Sequence, residues 1–384
     1  MSSIPYPLDP MGSTNRGSCF ELTVQPGILG DSLTYGFTPS WNAGGYCKVV
    51  DWGDGSNEDA VTSGALITHT YAAAGTYTIL IKADCYKCMF GYNDTYAPLI
   101  YDANGNWDAL GNITNGSYMF YKCTNATFPF TSLPDGLTNG ERMFSSCINA
   151  TLPLTSLPDG LTNGAYMFSG CSNAQLPLTS LPAGLTDASG MFDGCINATL
   201  PLTSLPSGLT NGAYMFKDCR NATLPLTSLP AGITNASNMF NGCQKATLPL
   251  TSLPAGITNA PNMFNGCKQV TLPLTSLPAG LTNADYMFYS CINATLPLTS
   301  LPDGLTNGIY MFCNCKQAVI NLDDLTANAP EGGWTNITSI DSMFQNAGSG
   351  NSPGTVTGSR SAFLAKFPNV TNITNAFYGT NTTE

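Results

Sequence analysis

Charged side chains are scarce in this chain of 384 residues, and histidine is nearly absent. Charged residues make up 10% of the sequence, with 13 Lys and Arg against 24 Asp and Glu, and there is one histidine. The formal net charge of −11 offers no attractive field to nucleic acid or to an anionic membrane surface. We therefore expect no nucleic-acid partner.

Long apolar runs are also absent. No run approaches the roughly 18 apolar residues of a membrane-spanning helix, so we expect no membrane insertion. The first residues, Met1 to Leu8, lack the basic start and the apolar stretch of a secretory signal peptide. This predicts a protein that stays in its cell or leaves as part of an assembly such as a virion; a signal removed beforehand is a third explanation. A hydrophobic content of 43% still predicts a packed core.

The sequence is rich in one internal repeat of 24 residues. Met-Phe recurs nine times at this spacing, from Met119-Phe120 to Met311-Phe312, and each Phe is followed three residues later by Cys. The phrase Leu-Pro-Leu-Thr-Ser-Leu-Pro stands between successive pairs with little variation. One such unit buries too little apolar surface to order its own backbone, whereas stacked units share their apolar faces. The repeat therefore predicts a solenoid.

Turn residues exclude a helical hairpin as the repeating unit. Prolines such as Pro153 and Pro158, with Asn-Gly and Pro-x-Gly turns, interrupt each unit every few residues. Short strands joined by turns fit better, since Leu152 and Leu154 alternate with Pro153 as inward and outward residues of a strand. The Tyr-Met-Phe-x-x-Cys segment fits either a helical turn or a second short strand.

These motifs carry a family resemblance. Leu-x-Leu-x-x-Leu-Pro-x-Gly-Leu is similar to the leucine-rich repeat. Met-Phe-x-x-Cys resembles the Ala-Phe-x-x-Cys of BspA-like leucine-rich repeat surface proteins, with Met in place of Ala. The resemblance covers residues 110–320 and implies a leucine-rich-repeat-type solenoid. The units are more uniform than is usual in that family, which indicates recent duplication.

Residues 19–84, ahead of the repeats, have the pattern of short alternating strands. Two phrases stand out, Val-Asp-Trp-Gly-Asp-Gly-Ser at 50–56 and His-Thr-Tyr-Ala-Ala-Ala-Gly-Thr-Tyr-Thr at 69–78. In this order they resemble the polycystic-kidney-disease (PKD) domain, which implies an immunoglobulin-like β-sandwich. The segment is slightly short for that family, which leaves room for a missing edge strand.

The remaining segments complete the predicted organisation. We expect a flexible arm over residues 1–18 and a linker over 85–109. The repeat decays after residue 320, and terminal coils must seal an apolar end, so residues 321–384 are predicted as degenerate repeats and a C-terminal cap. A short helix is expected within 359–367. The predicted fold class is mainly β, with a PKD-type sandwich, a solenoid and a cap.

Cysteine motifs offer little metal or redox chemistry. The nine repeated cysteines should form a packed column, because stacked strands lie ~4.8 Å apart whereas disulfides prefer Cα separations of ~5.5–6 Å. Cys85-Tyr-Lys-Cys88 is a lone C-x-x-C motif, and a zinc site would require a second cysteine pair or two histidines. We expect a structural disulfide or free thiols at Cys85 and Cys88.

Catalytic and calcium-binding candidates are equally weak. His69 has no Ser or Cys nucleophile in a recognisable motif, and it should pack near the Asp-Trp-Gly-Asp-Gly turn. Asp51 and Asp54 are weak Ca²⁺ candidates, although Asp and Gly are also ordinary turn residues. We expect no enzymatic activity, no bound metal and no cofactor.

Variation between the coils indicates where a working surface lies. The residue before each Met-Phe pair changes from coil to coil, whereas the leucine and proline phrase does not. Because this position varies, we expect it to form an exposed edge. A solenoid face that carries tyrosines suits contact with protein or glycan. Simple solvent exposure is the alternative reading. The candidate binding residues are Tyr118, Arg142, Tyr166, Tyr214, Tyr286 and Tyr310.

The sequence as a whole predicts a non-enzymatic, surface-exposed binding or structural protein in a virion or on an extracellular surface. Without a recognisable signal peptide, the favoured setting is a phage virion, as a fibre, head-decoration or receptor-binding component. Expected partners are protein or glycan on a cell surface, other virion proteins, or a second copy bound through the N-terminal region. The alternative is a bacterial cell-surface adhesin of the BspA-like type.

Overall fold

The protein is described by a computed structural model in which regular structure is mainly β, with few helices. The residues that the structure describes are 18–59, 61–91, 94–222, 224–246, 248–350, 354–380 and 382. The expected flexible arm, residues 1–18, lies outside the described residues apart from Ser18. Within the described ranges, no helix has the length and apolar character needed to cross a membrane.

Seven strands precede the repeats and form two antiparallel sheets. Their bounds are β1 Phe20–Val24, β2 Thr34–Ser40, β3 Cys47–Asp51, β4 Ile67–Thr70, β5 Tyr77–Ala83, β6 Lys87–Met89 and β7 Ile100–Ala103. The first sheet has the order β3-β5-β1-β7 and the second β4-β2-β6. Strand β1 shows why these residues form a sheet, because Phe20, Leu22 and Val24 are buried and the residues between them are not.

The segment 85–109 is not the linker that the sequence predicts. It contains β6, which pairs with β2, and β7, which pairs with β1. Burial explains the difference: Ile100 is 1% exposed, and Phe90 is fully buried and stacks on Phe20 with 5.2 Å between ring centroids. The two sheets therefore extend beyond residue 84 and include strands too short to show a clear alternation in sequence.

Successive coils stack in register at the repeat spacing. Parallel bridges join the same position of neighbouring coils, at Asn115, Asn139, Asn163, Asp187, Asn211, Asn235, Asn259, Asn283 and Asn307. In seven of these nine coils the side-chain Oδ1 accepts the backbone N–H two residues further on. Asn and Asp stabilise turns through this bond, which explains their recurrence at the position.

The Tyr-Met-Phe-x-x-Cys segment is neither of the two structures that the sequence suggests. In the first coil, the N–H groups of Tyr118, Phe120 and Lys122 donate to carbonyl oxygens of the next coil. The N–H groups between them bond back to the carbonyl three residues earlier. The segment is therefore a series of turns, and every second backbone N–H is hydrogen-bonded to the next coil. Such turns require positive φ at intervals, as at Tyr118 and Lys122, both at 60°.

Phenylalanine and cysteine columns fill the interior of the coils. From Phe144 to Phe312, adjacent rings stack with centroids 5.6–5.8 Å apart. In the eight repeat cysteines from Cys147 to Cys315, spaced 24 residues apart, the Sγ donates to the Phe carbonyl of the preceding coil at 2.8–3.1 Å. Cysteine suits this place because it is small, readily buried and still a weak donor. All 14 cysteines are buried and free.

The C-terminal region continues the stack and contains the two α-helices found among the described residues. Its elements are β8 Val319–Asn321, α1 Leu322–Ala327, β9 Thr355–Thr357 and α2 Arg360–Leu364, with β8 and β9 paired in parallel. Helix α2 lies inside the predicted 359–367, and the Ser359 side chain caps it by accepting the N–H of Ala362. Helix α1 was not predicted. Trp334 is fully buried and stacks on Phe367, 4.9 Å between ring centroids.

Candidate functional site

The residue before each Met-Phe pair has the same unusual backbone in every coil. We call this set the left-handed row; it comprises Tyr118, Arg142, Tyr166, Gly190, Tyr214, Asn238, Asn262, Tyr286 and Tyr310. All nine have φ between 52° and 60°. This conformation is ordinary for Gly and accessible to Asn, but it costs roughly 1–2 kcal/mol for other residues. The bulky side chains in the row are therefore held against a backbone preference.

The N-terminal part of the row is a cation–aromatic stack. The Arg142 guanidinium lies 4.6 Å from the ring centroid of Tyr166 and 5.9 Å from that of Tyr118. These distances are within the range of cation–π attraction. The ring of Tyr166 then covers Gly190, where any Cβ would collide with it. Glycine at 190 thus makes room for the preceding tyrosine.

The C-terminal part of the row is an aromatic cluster beside acidic residues. Tyr286 and Tyr310 stack with centroids 4.8 Å apart, and Tyr289 meets both rings at steep angles. Burial raises the pKa of Tyr286, and negative charge at Tyr310, Asp285 and Asp341 would raise it further. A guanidinium with the Glu141 carboxylate 3.9 Å from it thus lies near one end of the row, and the carboxylates of Asp285 and Asp341 lie near the other.

The six predicted binding residues share one row, but they are less exposed than expected. Tyr214 is exposed, at 37%, whereas the other five are half-buried because they pack along the row or against neighbouring side chains. Beside Tyr214 lies an ion-pair group, in which Lys217 Nζ is 2.9 Å from Asp218 and 3.6 Å from Asp193. The row thus has a stacked group at each end, with charged side chains beside its middle.

The sequence predicts the position of the row but not its positive φ angles. The signal was available: Gly190, Asn238 and Asn262 replace tyrosine at equivalent places, and Gly and Asn are the residues that adopt positive φ most readily. Variation at this position therefore has two causes, exposure and backbone conformation.

The two calcium candidates are engaged in shaping a turn. Asp51 Oδ1 accepts the N–H groups of Gly53 and Gly55 at 2.7 and 3.1 Å. Asp54 Oδ1 accepts both the N–H and the hydroxyl of Ser56 at 3.0 and 2.6 Å. Across the described ranges, no group of three or more His, Cys, Asp or Glu side chains is arranged to hold a metal ion. The arrangement favours a structural role for Asp51 and Asp54 in the turn over Ca²⁺ binding.

His69 lies against this turn, where the sequence places it. Its Nε2 is 2.7 Å from Asp54 Oδ2, and its ring stacks on Trp52 with centroids 5.0 Å apart. A catalytic triad has the histidine between carboxylate and hydroxyl, whereas here the carboxylate lies between His69 and Ser56. Burial alone would raise the pKa of Asp54, but hydrogen bonds from Ser56 and His69 outweigh it and hold that pKa below its usual value. The geometry is that of a stabilised turn.

Two family models match the coiled part of the chain. Residues 111–223 match the BspA type leucine rich repeat region, in six copies. Residues 210–324 and 234–355 match a family described as Mycoplasma protein of unknown function, DUF285. A leucine-rich repeat protein of known crystal structure from Bacteroides ovatus ATCC 8483 is 16% identical, with a TM-score of 0.34 over 76% of this chain and 94% of that one. No curated protein matches the chain.

Proposed function

We propose that the chain is a non-enzymatic adhesive protein whose left-handed row contacts protein or glycan on a cell surface. In this proposal the two N-terminal sheets are an immunoglobulin-like, PKD-type module, and the coils are a leucine-rich-type solenoid that displays the row. The observation that carries the proposal is the placement of five tyrosines and an arginine at positive φ, where Gly or Asn would be less strained.

The chemistry of the row supports contact with a partner. Tyrosine offers a flat apolar face together with a hydroxyl, so it packs against sugar rings or side chains and hydrogen-bonds at once. The row also repeats at every coil, which suits an extended partner that is held by many weak contacts. The guanidinium of Arg142, stacked between two rings, adds a fixed positive group near one end.

The setting we favour is the surface of a bacterial cell. The match of residues 111–223 to BspA-type repeats supports an adhesin over the phage virion component that the sequence first suggests. Protease treatment of intact cells, followed by mass spectrometry of the released peptides, tests this setting. Peptides recovered from intact cells would support it, whereas peptides found only in purified phage particles would restore the virion hypothesis.

The row itself is tested by replacing Tyr166, Tyr214 and Tyr286 together with Asn, which tolerates positive φ. We expect binding to immobilised glycans and to intact cells to fall, while the melting temperature stays the same or rises. The matched control replaces Thr155, Thr203 and Thr275 with Ala, because these are exposed threonines of the fixed phrase in the same three coils. Equal binding by the two triple variants would contradict the proposal.

A further inference from the structure

The bridges that join the coils at the repeated asparagine position stop at Asn307. They run without a break from Asn115 to Asn307, and the next such bridge begins at Ser339. Within the described ranges, no bridge joins Asn307 to Ser339. The coil step changes at the same place, since Met343 follows Met311 by 32 residues (343 − 311) instead of 24. The joint between the regular coils and the C-terminal region is therefore bonded differently from the joints before it.

Four other asparagines at this position are followed by glycine, as Asn307 is: Asn115, Asn139, Asn163 and Asn211. In each of these four pairs, the Gly N–H donates to a carbonyl oxygen of the next coil at 2.7–3.1 Å. The Asn Oδ1 accepts the backbone N–H two residues further on at 2.9–3.2 Å. Both the glycine nitrogen and the asparagine side chain are thus held by hydrogen bonds.

The pair Asn307-Gly308 lacks both of these bonds. Among the residues that the structure describes, none accepts the N–H of Gly308. The N–H of Ile309 donates to Oδ1 of Asp285 in the preceding coil, at 2.9 Å, and not to Asn307. Asn307 is also exposed, whereas the asparagines of the other four pairs are half-buried. The side chain of Asn307 and the nitrogen of Gly308 are therefore adjacent in the chain and held by neither bond.

We propose that Asn307-Gly308 is a site of spontaneous deamidation, a self-modification whose co-reactant is water. The Gly308 nitrogen attacks Asn307 Cγ, so that a C–N bond forms, the bond from Cγ to the amide nitrogen breaks, and ammonia leaves with the Gly308 proton. Water then opens the resulting succinimide ring at either carbonyl, which gives aspartate or isoaspartate at position 307. Asparagine is a chemically labile residue, and glycine has no Cβ to hinder the approach of its nitrogen.

The surroundings of the pair are compatible with this reaction and its products. Gly308 is buried, but the attack occurs within the chain, so only water has to reach the exposed Asn307. Aspartate fits the coil, because Asp187 occupies the equivalent position and its Oδ1 accepts the N–H of Ser189 at 2.8 Å. Isoaspartate would instead lengthen the backbone at the joint. Deamidation is independent of the binding function proposed for the row.

The test incubates the full native chain in warm, mildly alkaline buffer and follows each pair by peptide mapping with mass spectrometry. Asn307 should deamidate on the order of tenfold faster than Asn139, Asn163 and Asn211, because their additional hydrogen bonds must break before attack. The same incubation in urea should bring the four rates together, since the unfolded chain has none of these bonds. Equal rates in the native chain, or an equally large difference in urea, would overturn the proposal.

The variant Gly308→Ala tests the attacking nitrogen. It should slow deamidation at Asn307 severalfold, because a Cβ hinders the approach of that nitrogen. Alanine occupies the equivalent place at Ala284, and the added Cβ would lie 3.3 Å from Cε of Met343, the far end of a flexible side chain. We therefore expect this variant to fold, and an unchanged rate of deamidation would contradict attack by Gly308.

The variant Asp285→Ala tests the missing turn bond. It frees the N–H of Ile309 to bond Asn307, as in the other four pairs, and should lower the rate toward theirs. Alanine already occupies the equivalent place at Ala165 and Ala213, so the coil should still form. Unchanged deamidation in Asp285→Ala, at an unaltered melting temperature, would show that the bond from Ile309 to Asp285 does not make Asn307 reactive.

Discussion

The N-terminal sheets and the stacked coils build their interiors in opposite ways. In the sheets, Phe20 packs against Phe90, 70 residues away in the chain (90 − 20). In the coils, Phe216 meets Phe192 and Phe240 at the same distance of 5.6 Å, and the pattern continues along the column. The sheets thus depend on particular long-range partners, whereas each coil depends only on the coils beside it.

This difference determines where side chains become available for function. In the sheets, polar side chains that resemble catalytic or metal-binding groups, such as Asp54 and His69, stabilise a turn. In the coils, the fixed phrase and the columns supply the stability, so the left-handed row can vary without disturbing the interior. In the coils, the residues that stabilise the fold and the residues that vary at the surface are therefore more fully distinct than they are in the sheets.

The largest effect is expected in the column. Phe216→Ala should lower the free energy of unfolding by about 3–5 kcal/mol, because it leaves a cavity between two stacked rings. Urea unfolding, followed by circular dichroism, measures this loss. Phe216→Leu is the control, since it keeps most of the volume and should lose much less. A loss under about 1 kcal/mol for Phe216→Ala would mean that the coils relax to fill the cavity. It would contradict the dependence of each coil on the rings stacked beside it.

A smaller effect, of opposite sign, is expected in the row. Tyr214→Asn should raise the free energy of unfolding by up to about 1 kcal/mol, because Asn adopts positive φ more easily and Tyr214 is already exposed. Tyr214→Ala keeps the backbone strain and should stay within about 0.5 kcal/mol of the unaltered chain. Thermal and urea unfolding of both variants provide the measurement. A clear loss in Tyr214→Asn would place Tyr214 among the side chains that stabilise the coils.

The smallest effect is a difference in pH dependence between the two regions. Hydrogen bonds lower the pKa of Asp54 against the effect of burial, so its stabilising contribution is present above the unfolded pKa and is lost as pH falls through the folded pKa. Burial raises the pKa of Asp285, so this residue favours the folded state at acidic pH and loses that contribution as pH rises through the folded pKa.

Melting curves between pH 3 and pH 7 should therefore separate the two aspartates. The stability of Asp54→Asn should fall furthest below that of the unaltered chain near neutral pH, and the difference should shrink on acidification. Asp285→Asn should be more stable near neutral pH and lose that advantage on acidification. Parallel pH profiles for both variants would contradict the opposite signs of the two shifts.

The parts of the fold that repeat could be predicted from the sequence, and the parts that depend on single contacts could not. The repeat spacing identified Met, Phe and Cys as interior residues because nine copies show the same pattern. Strands β6 and β7 were missed because three or four residues carry no readable alternation. The row was located through its variation, but a tyrosine does not reveal a positive φ.

The asparagine bridges, which join each coil to the next at the same position, also bear on how the length of the protein can change. Because every interior coil presents the same pair of complementary faces, removing any 24 consecutive residues from the uniform region brings together two faces that already fit each other. Unequal recombination within the gene can therefore shorten or lengthen the array by whole coils, at roughly 4.8 Å each, without creating a new interface. The reach of the protein beyond its N-terminal sheets is thus set by copy number.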